Sequence, residues 1–405
     1  MPVKVLIVDD SGFFRHRISD LLTGDSRIKV VGSAQNGKEA IEQAKLLRPD
    51  LITMDVEMPQ MNGIEAVRVI MRECPTNILM LSSLTHEGAR VTLQALEAGA
   101  LDYLSKDMRA WMEHSSSLEK QLRDKVVEMG RSRHYKRSSF FADSAKSTAS
   151  SNTMVFRPDE ETRTPRTSER ATGRASDRTT SPSAGRTRMV DSPALRRPSE
   201  APAKPPTRPI GRKRIPDCQI VVIGSSTGGP AALQQILTQI PANFPYPILL
   251  VQHMPKTFTS VFAARLDQQC DIHVKEAEDG DKLVPGCAYL APGGHQMMID
   301  PRAKDKVRIL PGDERLTYKP SVDVTYASAA KSFGGKVLAI ILTGMGADGC
   351  DGAKLLKQQG ATIWAQNKES STIYGMPQAV VNAGLADEIL DLDEIGPLLS
   401  KSRGR

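Results

Sequence analysis

The chain reads as two α/β domains, each built on a parallel sheet, joined by a segment that cannot bury a core of its own. Three observations predict this. Short apolar runs alternate with helix-like stretches from Val3 to about Met129, the same alternation resumes at about Asp217, and Arg, Ser, Thr and Pro replace the apolar residues in between. Strands separated by helices of this length imply βαβ units, and successive βαβ units imply a parallel sheet. A chain of 405 residues is also too long for one ordinary domain and fits two plus a connection.

In the first zone, Val3–Val8, Ile28–Val31, Leu51–Met54, Ile78–Leu81 and Leu101–Leu104 read as strands, with helical patterns at Glu39–Leu47, Gly63–Arg72 and Glu87–Ala98. In the last zone, strands are expected at Ile220–Ile223, Ile248–Gln252, Ala288–Ala291, Val337–Thr343 and Thr362–Ala365. Helices are expected at Ala231–Ile240, Thr259–Gln269, Ser321–Phe333 and Ala353–Gln359. These readings set the domains at 1–130 and 217–405. Residues 131–216 are expected to be a disordered linker, because such a composition buries too little apolar area to offset the entropy of ordering. Much of the positive charge of this chain, whose formal net charge is +7, sits there, as in Arg196-Arg197 and Arg212-Lys213-Arg214. It reads as a self-repelling tether, and with no helix-turn-helix text nucleic acid is not an expected partner.

No apolar window approaches the ~20 residues of a membrane span. The start of the chain enters a strand directly and offers no secretory signal, and the five cysteines lack Cys-x-x-Cys spacing. The expectation is a cytoplasmic protein with free thiols and no membrane insertion.

Two clusters carry chemistry. In the first zone Asp9 and Asp10 end the first strand, Asp55 the third and Ser82 the fourth, while Lys106 follows the fifth. In a parallel sheet these ends share the carboxyl edge, where α/β folds place their sites. Converging carboxylates repel unless they hold a hard cation, and Mg²⁺ suits carboxylate and phosphate oxygens. With Lys106 and a hydroxyl opposite, these are the parts for phosphorylating Asp55.

This half resembles the receiver domain of two-component response regulators, through Val8-Asp9-Asp10-Ser11, Met54-Asp55-Val56-Glu57-Met58-Pro59 and Lys106. The resemblance implies a flavodoxin-like five-stranded fold and phosphotransfer from a histidine kinase to Asp55. It implies Mg²⁺ held by Asp10, Asp55 and the Glu57 carbonyl, with Asp9 acting through water, and Ser82 and Lys106 on the phosphoryl group. One departure is Asp107, where the family usually has proline.

In the last zone, Ser226 lies in Gly224-Ser225-Ser226-Thr227-Gly228-Gly229, between an apolar run and an amphipathic helix. A serine on a strand-to-helix turn exposes its hydroxyl beside the free N–H groups of a helix start. A serine hydrolase also needs a base and an orienting carboxylate. His253 follows the strand Ile248–Gln252 on the same sheet edge, whereas His273 alternates with apolar residues and reads as a strand position without a catalytic role. Asp348 sits in the glycine-rich loop after Val337–Thr343. A competing triad of Ser226, Asp281 and His295 has the chain order of α/β-hydrolases, but Asp279-Gly280-Asp281 and Gly293-Gly294-His295 read as turns. A dinucleotide fingerprint fails, since its second glycine is missing.

Both halves together are similar to the chemotaxis response-regulator protein-glutamate methylesterases. The matching text is Ile223 to Gly229, Gln252-His253-Met254-Pro255, Lys275 to Gly280, Pro320-Ser321-Val322-Asp323, Leu342 to Gly346 with Asp348-Gly349, and Tyr374-Gly375-Met376-Pro377. The resemblance implies Ser226 as nucleophile, His253 as base, Asp348 as its orienting carboxylate, and Thr227 and Met345 N–H groups as the oxyanion hole. It implies hydrolysis of glutamyl methyl esters and deamidation of glutamines on chemoreceptors, with no cofactor in the catalytic half. The connecting segment is longer than is usual in the family. The rival class is a regulator whose second domain only binds a partner; it would carry no activated serine.

Overall fold

The computed structural model describes residues 1–106, 111–112, 116–132 and 215–401. Nearly all of the expected linker therefore lies outside the described residues, as does Asp107.

The first domain alternates β1 (Val3–Val8), α1 (Gly12–Thr23), β2 (Ile28–Ala34), α2 (Gly37–Leu47), β3 (Leu51–Asp55), α3 (Gly63–Glu73), β4 (Asn77–Ser82), α4 (His86–Glu97), β5 (Asp102–Ser105) and α5 (Ser116–Arg131). Its five strands run in the order β2-β1-β3-β4-β5, all parallel, as a flavodoxin-like fold requires. β3 and β4 are buried along their whole length, the mark of strands covered on both faces. The helix ends are written in side chains: Ser11, Asn36, Asn62 and Thr85 each accept from a backbone N–H of the first turn they cap. α5, absent from the sequence reading, packs Leu122, Val126, Val127 and Met129 into the core shared with β1 and ends at Arg131.

The second domain begins with β6 (Ile220–Ser225), α6 (Gly229–Leu237), β7 (Ile248–Gln252), α7 (Lys256–Gln269), β8 (His273–Glu276) and β9 (Cys287–Leu290). A hairpin, β10 (His295–Ile299) and β11 (Val307–Pro311), leads to α8 (Val322–Phe333), β12 (Val337–Ile341) and α9 (Cys350–Gln358). The chain closes with β13 (Thr362–Gln366), α10 (Gly375–Asn382), β14 (Glu388–Leu390) and α11 (Leu392–Ser400). Seven parallel strands form one sheet in the order β14-β13-β12-β6-β7-β9-β8, and the antiparallel hairpin stands apart from it. The chain enters at the central β6, builds outward through β7, then returns to build outward from β12. The crevice between β6 and β12 is thus the point where strand order reverses, and ligands of doubly wound sheets bind there.

The domains are packed together. Tyr103 of β5 stacks on Phe258 of α7 with ring centroids 4.4 Å apart and planes 5° from parallel. Arg265 Nε donates to Glu97 Oε1 at 2.6 Å, tying α7 to α4. Ser132, just past α5, donates its hydroxyl to the Thr372 carbonyl at 2.9 Å.

Candidate active site and phosphoacceptor site

β6 and β7 are parallel neighbours in which Ser225 pairs with Gln252. The next residue on each strand, Ser226 and His253, is therefore carried off the same sheet edge side by side. Three bonds fix this exit. The His253 N–H donates to the Ser225 carbonyl at 3.2 Å, the Gln252 amide donates to the Ser226 carbonyl at 3.0 Å, and the Ser225 hydroxyl donates to Gln252 Oε1 at 2.7 Å. On the other side, the Ser226 N–H donates to the Thr343 carbonyl at 3.0 Å, joining the serine to the loop after β12. Gly344 in that loop has no room for a side chain: a Cβ there would lie 2.8 Å from the Ser226 Cβ and would collide with Met376. The loop can pass this close to the serine only as glycine.

The same loop delivers Asp348. Its Oδ2 meets His253 Nε2 at 2.7 Å and accepts the Val322 N–H at 2.7 Å; its Oδ1 accepts the Ser321 hydroxyl at 2.9 Å and the Asp323 N–H at 3.1 Å. Two of these donors are first-turn amides of α8, whose positive end favours a carboxylate. Burial pushes the Asp348 pKa up, but the His253 bond and these amides outweigh it and hold the carboxyl down at about 2. His253 uses Nε2 for this bond, so the nitrogen left for other chemistry is Nδ1, which is buried and bonded to nothing among the described residues. The imidazole face is covered by the Tyr318 ring, 4.2 Å between centroids and 8° from parallel.

At the start of α6, Gly228 takes φ of +77°, a left-handed turn that lets the helix begin immediately after the serine. Among the described residues no acceptor engages the Thr227 or Met345 N–H, whereas Thr227 is itself buried. The competing pair is not assembled. Asp281 accepts from Lys275 Nζ and from the Glu278 N–H, while His295 Nδ1 faces the Gly293 carbonyl at 3.2 Å. His273 opens β8 in an exposed pair with Asp267.

In the first domain, one carboxylate oxygen each from Asp9, Asp10 and Asp55 lies within 4.8 Å of the others. Lys106 Nζ reaches Asp9 Oδ2 and Asp55 Oδ2, both at 2.8 Å, and sits over the Phe14 ring. Burial raises the Asp55 pKa, Lys106 works against that, and Asp9 adds to it, for a result of about 6. A cluster of three acids balanced by one lysine has room for more positive charge, and its all-oxygen donors suit a hard divalent cation. The exposed Glu57 follows two residues after Asp55. Ser82 is buried at the end of β4, but its hydroxyl bonds to the Gly88 carbonyl and receives from Thr92, and neither bond points to the carboxylates.

Comparison with known proteins matches each domain to a family of its own. Residues 5–112 match the response regulator receiver domain, and residues 221–399 match the family described as CheB methylesterase. Over 396 residues the chain is 54% identical to the protein-glutamate methylesterase/protein-glutamine glutaminase of group 1 operon from Pseudomonas putida, covering 98% of each protein. The chain belongs to this family. Equivalent proteins of Pseudomonas aeruginosa and Aliivibrio fischeri are 53% and 50% identical, again over 98% of this chain and 98% and 97% of theirs.

Several residues around the family's serine were missed by sequence reasoning. Ser321, Tyr318 and Gln296 act through packing and hydrogen bonds that no local pattern announces, although Ser321 lies in one of the matching segments. The first domain also contributes: the Thr227 hydroxyl donates to Asp102 Oδ2 at 2.7 Å, where Lys125 is paired. Met345 and Ile373 pack against the apolar cluster around α1 and α5. Among the described residues no helix is long and apolar enough to cross a membrane.

Proposed function

We propose that this chain is a phosphorylation-controlled serine esterase that removes methyl groups from glutamyl esters of chemoreceptors and deamidates receptor glutamines. The observation that carries the reading is the His253–Asp348 pair, with His253 and Ser226 each one residue beyond the register that aligns Ser225 with Gln252. His253 Nδ1 takes the proton of the Ser226 hydroxyl as its oxygen attacks the ester carbonyl. The resulting oxyanion is met by the Thr227 and Met345 N–H groups, which have no competing acceptor among the described residues. The imidazolium, stabilised by Asp348, returns the proton to the departing methanol, or to ammonia when a glutamine is the substrate. Water, deprotonated by the same nitrogen, then releases glutamate and restores the serine.

Asp55 is the proposed phosphoacceptor, with a histidine kinase as donor, and Asp9, Asp10, Asp55 and the Glu57 carbonyl as the residues that would hold Mg²⁺. That ion supplies charge neutralisation at the phosphoryl oxygens. Lys106 grips the incoming phosphoryl group. Ser82 joins it only if its hydroxyl leaves the Gly88 carbonyl. The domains are assigned to 1–130 and 217–405, in the cytoplasm.

Ser226→Ala is expected to lower methanol release from methylated receptor membranes by on the order of 10⁴–10⁶ without unfolding the protein, and His253→Ala by a similar factor. A serine-directed phosphonate is expected to label Ser226. Failure to label it, with turnover intact in Ser226→Ala, would return the second domain to a binding role.

A further inference from the structure

A base in a serine hydrolase must keep its ring plane as well as its hydrogen bond, and the Asp348 contact restrains only one edge of His253. The other restraints come from one short stretch. Tyr318 lies flat on the imidazole, and three residues later the Ser321 hydroxyl holds Asp348. Both ends of this strap are tied to a single side chain, Gln296 of β10. Its amide NH₂ donates to the Tyr318 carbonyl at 2.7 Å and its oxygen accepts the Ser321 N–H at 2.8 Å. Gln296 is 3% exposed and places both functional ends of its amide in these bonds, so substituting an apolar residue leaves two backbone groups without partners. The hairpin β10–β11, which belongs to neither sheet, is thereby linked to the catalytic carboxylate and base through one amide.

We propose that Tyr318 and Gln296 are positioning residues for the esterase reaction: the ring clamps the His253 plane so that Nδ1 faces Ser226, and Gln296 sets the height of that ring and of Ser321. This inference rests on His253 being the base. The Tyr318 hydroxyl has no role in it, because the contact is face to face and no hydrogen bond from that hydroxyl is present among the described residues.

The test uses the full-length protein, phosphorylated with acetyl phosphate and Mg²⁺, with methanol release measured across a range of methylated receptor concentrations. Tyr318→Leu is expected to lower kcat 10- to 100-fold with KM changed less than threefold, and Tyr318→Phe to restore kcat to within threefold of the parent. Gln296→Met is expected to lower kcat about tenfold, and the double variant Tyr318→Leu/Gln296→Met to lose less than the product of the single losses, since both act through one ring. Thermal midpoints measured in parallel identify any variant that loses turnover by unfolding; for those, the labelling rate of Ser226 by the phosphonate below the midpoint replaces turnover and is expected to fall by the same factors. Tyr318→Phe as defective as Tyr318→Leu, a rise in KM at constant kcat, or strictly multiplicative losses would overturn the proposal. An inactive His253→Ala beside an unaffected Tyr318→Leu defeats this inference alone, whereas an active His253→Ala defeats the reading beneath it.

Discussion

Burial raises the pKa of both Asp348 and Asp55, and the partners each is given decide the outcome. Asp348 receives a histidine and two helix amides and falls to about 2, so it stays ionised wherever the esterase works. Asp55 has Lys106 but also Asp9, and it rests at about 6. A folded-state value above the ~3.9 of an unfolded aspartate means the folded state binds more protons between pH ~4 and ~6. The charge of Asp55 therefore costs stability that is fully felt above pH 6 and vanishes below about pH 4. Asp55→Asn, in metal-free buffer, is expected to stabilise the protein at pH 7.5 by about 1–3 kcal/mol, with the gain shrinking as pH falls toward 4 and with added Mg²⁺. Urea unfolding followed by circular dichroism at pH 7.5 and 4.5, with and without Mg²⁺, checks it; a gain that is the same at both pH values contradicts the burial argument.

Strand ends hold both sites, and this is why so much of them was legible in the sequence. An apolar run followed by a polar residue is a local signal, so Asp9, Asp55, Ser226 and His253 could be placed on their edges before any tertiary contact was known. The β10–β11 hairpin was not legible: Gly293-Gly294-His295 reads as a turn, and Gly294 does turn, with φ of +78°, but the turn feeds a strand. α5 was missed because Lys, Arg and Glu mask the spacing of Leu122, Val126 and Met129, which only the face of β1 reveals. The loop after β12 shows what its glycines are for. Gly344→Ala forces a methyl against Ser226 and Met376 in a close-packed crevice, at an expected cost of about 1–3 kcal/mol. Because the displaced element carries both Met345 and Asp348, turnover is expected to fall at least 100-fold, well beyond what the stability loss explains at 20 °C. Methanol release and thermal midpoint measured together check this; a stable variant with parental turnover would mean the loop can move without disturbing the serine.

At the scale of the whole molecule, the first domain rests on the residues that form the proposed oxyanion hole. Thr227 gives its hydroxyl to Asp102, Met345 lies against the α1–α5 cluster, and the Tyr103–Phe258 stack and the Arg265–Glu97 pair hold the arrangement from one side. The expectation is that these contacts keep a receptor helix from Ser226, and that phosphorylation of the proposed acceptor Asp55 has only to weaken them. A differential of about 3 kcal/mol changes the ratio of open to closed protein by roughly 150-fold. If the connection behaves as the tether its composition predicts, its length sets how often the receiver returns, since effective concentration falls slowly with tether length. The segment from Asp217 onward is therefore expected to hydrolyse methyl esters at full rate without phosphorylation, and the unphosphorylated full-length chain to be at least tenfold slower. Shortening the connection between Gly130 and Pro216 is expected to deepen repression until the span can no longer be bridged, after which activity should rise. Initial rates of methanol release from methylated receptor membranes, for the three forms side by side, decide the matter. Equal rates in all three would mean that the contacts on Thr227 do not gate the cleft, and phosphorylation would then act by recruiting the enzyme to its receptors.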